Sequence, residues 1–181
     1  MKTNVFDDLD FKTKVLALFC VSAFGAVVID TVGVIFSKIF DMGSVLAGYQ
    51  SLGRYVIALC SGDVGFPEPN FGIVPKRYGE TFVGLSAHFF VCLMDTFFYF
   101  FLSFKLLKSS PKLMPALILM WLFMSMPLFL EMPALGMGWA AYNSPIRHLI
   151  WIRTIVCHSV FGMALYVGTI FFDRYVIAKL S

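Results

Sequence analysis

Charged residues are scarce in this chain. Asp, Glu, Lys and Arg make up 14% of its 181 residues, against 59% apolar residues and 21 Phe. That balance excludes an ordinary soluble domain and a disordered chain, and it indicates an integral membrane protein in contact with the lipid bilayer. The few basic residues flank apolar runs and form no stripe, so we expect no nucleic-acid partner.

Several catalytic and binding motifs are missing as well. The sequence has no Gly-rich phosphate loop, no nucleophile elbow and no H-E-x-x-H zinc motif. Its four cysteines lie in apolar runs or, for Cys60, near the expected outer surface, which argues against a disulfide framework. These absences remove the commonest signatures of ATPases, serine hydrolases and zinc peptidases, and whether the protein is an enzyme stays open.

The chain does contain four apolar segments, each long enough to cross the ~30 Å hydrocarbon core as a helix. We place them at residues 15–37, 81–104, 113–130 and 152–172. A further helix, at about residues 45–60, is amphipathic, with Gln50 and Arg54 opposite its apolar face, and is expected on the surface or over the bundle. The predicted fold is an all-α membrane protein with four transmembrane helices plus an amphipathic surface helix, in one domain over residues 1–181.

Ionisable residues inside membrane spans are costly and indicate functional sites by default. Asp30 in the first span, His88 in the second and His158 in the fourth lie about 6–13 Å from the same end of the bundle. We therefore predict that these three side chains meet in one site. Glu131 and Glu80 are predicted at the mouth of that site.

Other polar residues are candidates for supporting roles. Asp95 and Tyr99 share a helical face with His88, and Arg54 lies on the amphipathic helix. Pro127 is predicted to bend the third span just before Glu131. We interpret His148 as a solvated loop residue.

The first two interpretations of the cluster involve a cofactor. His88, His158, Asp30 and Glu131 give a mixed nitrogen and oxygen set that suits zinc, iron or manganese. A metal-activated water would then make the protein a membrane-embedded hydrolase. Alternatively, the two histidines would be axial ligands of a haem.

The other two interpretations need no cofactor. Asp30, His88, Asp95 and Tyr99 could conduct a proton or an ion, a role that implies a homo-oligomer. The same groups could instead form a hydrogen-bond network that holds together an accessory subunit of a larger membrane complex. By a small margin, Lys and Arg near the span ends place both termini in the cytoplasm.

Five stretches occur in a characteristic order: AVVIDTVGVIFSKIF, YQSLGRY, GETFVGLSAHFF, EMPALGMGWAAYNSP and HSVFGMALY. This order resembles a family of small four-span bacterial inner-membrane proteins designated as a domain of unknown function, DUF2938. The resemblance covers roughly Gly25 to Gly168 and implies an inner-membrane location and four helices, but no activity. The chain departs from the family pattern at Glu131, where we expect Gln, at Leu85, where we expect Trp, and after Arg54, where basic and histidine residues are missing.

Overall fold

The computed structural model describes residues 9–64 and 74–174, and every regular element in these ranges is helical. We number the helices α1 Phe11–Ile39, α2 Val45–Cys60, α3 Glu80–Phe100, α4 Leu113–Phe123 and α5 Arg147–Phe172. A π-helical segment continues α3, two short segments continue α4, and a 3₁₀ turn precedes α5: Phe101–Leu106, Pro127–Glu131, Met132–Ala134 and Trp139–Ala141.

Within the described residues, four helical segments are long and apolar enough to cross a membrane: Phe11–Ile39, Glu80–Leu106, Leu113–Ala134 and Arg147–Phe172. With α2 as the additional helix, the predicted all-α architecture is confirmed. The first two spans extend one to four residues beyond the predicted limits at both ends, the third ends four residues later than predicted, and the fourth begins five residues earlier. At the start of α1, the Asp10 carboxylate accepts a hydrogen bond from the backbone N–H of Thr13 at 3.1 Å.

Small residues allow the spans to pack closely around α1 and α5. A Cβ at Gly25 of α1 would lie 2.6 Å from the ring of Phe161 in α5. Likewise, a Cβ at Gly162 of α5 would lie 3.2 Å from the carbonyl oxygen of Ala116 in α4. Helix α5 therefore packs between α1 and α4, as small-residue contacts favour in membrane bundles.

The third span changes its helical winding at the predicted bend. Proline has no backbone N–H and its ring clashes with the preceding turn, so a regular α-helix cannot continue through Pro127. The chain instead forms a π-helical turn over Pro127–Glu131, in which the N–H of Met132 donates to the carbonyl of Pro127. This wider turn determines where Glu131 lies relative to the other spans.

Helix α2 packs antiparallel to the first turns of α3. A Cβ at Gly53 would lie 1.8 Å from the carbonyl oxygen of Glu80, and one at Gly84 would lie 1.8 Å from that of Tyr49. The two backbones can approach this closely only because both positions are glycine. The side chain of Gln50, predicted on a free polar face, also faces α3, and its amide donates to the Thr81 hydroxyl at 3.2 Å. Helix α2 is thus joined to the bundle along its polar side.

Candidate functional site

A cavity of about 540 Å³ lies at one end of the bundle, and all four spans and α2 contribute to its wall. It extends to the loop between α1 and α2 and to the loop before α5. Cavities of 300–1,000 Å³ with a few convergent polar groups are typical of small-ligand sites. The polar residues that line it include Asp30, Tyr49, His88, Glu131, Arg153 and His158.

Asp30 and His88 are in direct contact in this cavity. The His88 Nε2 lies 3.0 Å from the Asp30 Oδ1, and the side chains are 19% and 34% exposed, respectively. An ionised carboxylate only accepts hydrogen bonds, so His88 carries its hydrogen on Nε2. In the neutral ring, Nδ1 is then left as a proton acceptor. The Cys92 sulfur lies 3.8 Å from the same Nε2, one turn further along α3.

Tyr49 completes this group from α2. Its hydroxyl donates to the same Oδ1 of Asp30, and its ring lies against the His88 ring with centroids 4.7 Å apart. Burial, together with the hydrogen bond to Asp30, raises the pKa of the Tyr49 phenol, so the phenol keeps its hydrogen and acts as a donor. Asp30, Tyr49 and His88 are called the Asp30 centre below. The contact of α2 with α3 at Gly53 and Gly84 positions Tyr49 in it.

The α4–α5 side of the cavity carries the other predicted residues. Glu131 is the last residue of the π-helical turn, and His158 lies in the fourth turn of α5. The His158 Nδ1 donates to the carbonyl of Thr154 at 2.9 Å, which leaves its Nε2 as an acceptor when the ring is neutral. Arg153 lines the same region, and a Cβ at Gly33 of α1 would lie 3.8 Å from its guanidinium.

Glu80 and Arg54 lie outside the cavity and bind each other. The guanidinium donates from Nε to Oε2 at 2.9 Å and from the terminal nitrogen to Oε1 at 3.2 Å. The backbone N–H of Arg77 also donates to Oε2, at 3.0 Å. These contacts satisfy both carboxylate oxygens, and they connect α2 to the start of α3.

Three further predicted residues do not line the cavity. Asp95 is partly buried about two turns beyond His88 on α3, and Tyr99 is fully buried with its hydroxyl donating to the carbonyl of Lys112 at 3.3 Å. Tyr99 therefore belongs to the core. His148 is exposed, as predicted, but its assignment to a loop is wrong. It lies in the first turn of α5, because that helix begins at Arg147, and its ring packs edge-on to Trp151.

Sequence reasoning missed Tyr49 and Arg153 as site residues. Tyr49 was counted in the apolar face of α2. A signal was present, since Tyr49 and Gly53 are one turn apart, as are Gly84 and His88, and matched small residues on two helices indicate close approach. Arg153 falls inside the predicted span 152–172, but its charge counts there only among the basic residues near span ends that set the orientation.

The metal interpretation gains no support from the geometry. Within residues 9–64 and 74–174, no group of three or more His, Cys, Asp and Glu side chains is arranged to hold a metal ion. The His88 Nε2 is committed to Asp30, and the His158 Nδ1 to a backbone carbonyl.

Comparison with known proteins agrees with the resemblance seen in the sequence. The model of a family described as a protein of unknown function, DUF2938, matches residues 19–172, which include most of the first span, the other three spans and the whole cavity wall. Neither the curated proteins nor the solved structures include a significant match to the chain.

Proposed function

The chain belongs to the DUF2938 family, and from the geometry of its cavity we propose that it is a membrane protein that binds and releases a proton at the Asp30 centre. The observation that carries this proposal is the 3.0 Å contact between the His88 Nε2 and the Asp30 carboxylate in the cavity wall. We also propose that the protein resides in the cell inner membrane with both termini in the cytoplasm.

The hydrogen bonds of the centre explain how a proton would be held. Asp30 accepts from Tyr49 and from the His88 Nε2, so the free Nδ1 of His88 is the basic atom. When Nδ1 takes up a proton, the imidazolium is paired at once with the Asp30 carboxylate. Release returns the ring to the neutral form without breaking the hydrogen bond to Asp30. The cavity supplies the route by which the proton arrives and leaves.

The test is nuclear magnetic resonance of ¹⁵N-histidine in lipid nanodiscs. The three rings are assigned from His88→Gln, His148→Gln and His158→Gln. We expect the His88 Nδ1 to be protonated reversibly between about pH 5 and 11, while Nε2 keeps its hydrogen throughout. A His88 ring that does not titrate in this range would overturn the proposal.

A matched pair of carboxylate variants tests the role of Asp30. We expect Asp30→Asn to change the midpoint of the His88 titration by about one pH unit or more, because opposite charges in contact perturb each other by that amount. Asp95→Asn removes a carboxylate from the same helix as His88 but about 10 Å along its axis, and should change the midpoint much less. Equal effects of both variants would contradict the proposed pairing.

A second candidate function is that of an accessory subunit in a larger membrane complex. The third span favours this second function, because only 11% of its apolar stretch is buried within the chain, against 28–39% for the other spans. That surface would then contact helices of a partner or of a second copy. Pull-down in mild detergent should recover a larger complex, and recovery of the monomer alone would exclude this function.

A further inference from the structure

The α4–α5 side of the cavity differs from the Asp30 centre in one respect: its charges are not paired. In the described part of the chain, the Glu131 carboxylate accepts no hydrogen bond and forms no ion pair. The Arg153 guanidinium likewise has no carboxylate within 4.0 Å among the described residues. Its neighbours are the Cys157 sulfur and the backbone around Gly33.

Glu131 and Arg153 are only partly exposed, and a charge held partly away from water in a cavity wall is unfavourable unless something binds to it. A carboxylate or guanidinium removed from water needs a partner of opposite charge or several hydrogen bonds. Glu131 and Arg153 face the same cavity but are not in contact with each other. A molecule that pairs with both side chains must therefore carry a positive group that reaches Glu131 and a separate negative group that reaches Arg153.

The remaining lining defines the rest of that molecule. Met42, Met132, Leu135 and Met137 give the wall a flexible apolar part. The His158 Nε2 offers one more hydrogen-bond acceptor on the α5 side. The volume of about 540 Å³ has room for a small amphiphilic molecule but not for a folded peptide.

We propose that this cavity binds a small zwitterion, with a primary ammonium group on Glu131 and an anionic oxygen group on Arg153. The His158 Nε2 accepts a second hydrogen bond from the ammonium, and the methionines contact the apolar portion. Two kinds of molecule have this chemistry in a cell membrane: a water-soluble apolar amino acid and the headgroup of an ethanolamine phospholipid. The ligand is separate from the proton of the Asp30 centre, so this site can exist whether or not His88 titrates.

The experiment uses three related probes and the full-length protein in nanodiscs of phosphatidylcholine and phosphatidylglycerol, which carry no primary ammonium. Binding of leucine, leucinamide and N-acetyl-leucine is measured by calorimetry. Leucinamide lacks the carboxylate and N-acetyl-leucine lacks the ammonium. Leucine should bind at least about tenfold more tightly than either, because it alone pairs both charges.

Two variants assign each charge to its partner. Glu131→Gln should weaken leucine and leucinamide by about tenfold or more and leave N-acetyl-leucine unchanged. Arg153→Gln should weaken leucine and N-acetyl-leucine and leave leucinamide unchanged. Arg147→Gln removes a cation from the first turn of α5, away from the cavity wall, and should change none of the three.

The lipid source is tested by native mass spectrometry of protein extracted from nanodiscs that contain phosphatidylethanolamine. Retention of that lipid by the natural protein, and its loss in Glu131→Gln and Arg153→Gln, would identify the headgroup as the ligand. The soluble zwitterion would be identified as the ligand if leucine binds, if both variants weaken it, and if leucinamide and N-acetyl-leucine are each weakened by one variant only. If neither molecule binds, or if both variants bind as the natural protein does, the proposal is wrong.

Discussion

Two glutamates near the same end of the bundle have opposite surroundings. Glu80 is buried and fully paired by Arg54 and by the backbone of Arg77, whereas Glu131 faces the cavity without a partner from the described residues. The hydrogen bond to Glu80 also raises the pKa of the Arg54 guanidinium, so this pair stays ionised. Their positions in the sequence predict the same role for both glutamates, at the mouth of the site. Their neighbours make one structural and leave the other available to a ligand.

The pairing of Glu80 gives a stability prediction. Arg54→Gln leaves a buried carboxylate without its charge partner, which typically destabilises a protein by about 3 kcal/mol or more. Arg77→Gln is the matched control. It removes the exposed contact with Asp63 but keeps the backbone donor to Glu80, and should cost about 1 kcal/mol or less. Thermal unfolding in detergent compares the two, and equal effects would contradict the assigned role of Arg54.

Two buried cysteines allow the hydration of the cavity to be measured. Cys157 lines the cavity, and Cys92 packs against His88 behind the wall. In a Cys20→Ser and Cys60→Ser background, a small charged methanethiosulfonate reagent should modify Cys157 much faster than Cys92. Mass spectrometry of the labelled protein gives both rates. Faster modification of Cys92 would mean that the cavity is not the path by which water enters the bundle.

At the scale of the elements, hydropathy predicted the four spans and amphipathicity predicted α2, since both depend on local sequence. The contacts of α2 could not be obtained in this way. Its amphipathicity left open a position on the membrane surface or over the bundle, and it did not predict that Gly53 and Gly84 bring its polar side against α3. Tyr49 reaches Asp30 only through that contact. Pairing of two helices depends on residues distant in sequence, which a single chain does not reveal.

The same contact predicts a strong effect of one methyl group. Gly53→Ala would place a Cβ 1.8 Å from the Glu80 carbonyl oxygen, so α2 must move away from α3. We expect a loss of about 2–3 kcal/mol in unfolding free energy, as for other overpacked interiors. Gly48→Ala, on the same helix with nothing within 4 Å, should be neutral or slightly stabilising. An unchanged melting temperature for Gly53→Ala would mean that the two helices do not touch there.

At the scale of the whole molecule, the charges converge because antiparallel spans bring distant residues to one depth. Asp30 lies nine residues before the end of α1, His88 eight residues after the start of α3 and His158 eleven residues after the start of α5, and all three line one cavity. Sequence spacing placed the three residues at similar depth, and Asp30 and His88 are in contact, whereas His158 lies on the α4–α5 side of the cavity. Sequence spacing could not predict which charges would pair and which would not. The position of Arg153 depends on where α5 begins, and the position of Glu131 depends on the π-helical turn.

The direction of the bundle in the membrane gives the last prediction. If both termini are cytoplasmic, the loop with Ser109 is cytoplasmic and the loop with Asn143 faces the opposite side, together with the cavity. Alkaline phosphatase fused after Asn143 should be active and green fluorescent protein there dark, with the reverse at Ser109. A fusion after Gly62, between the first two spans, should behave like the one at Asn143. Reversed signals at all three positions would invert the orientation and place the cavity on the cytoplasmic side, whereas identical signals at Ser109 and Asn143 would mean that the third span does not cross the membrane.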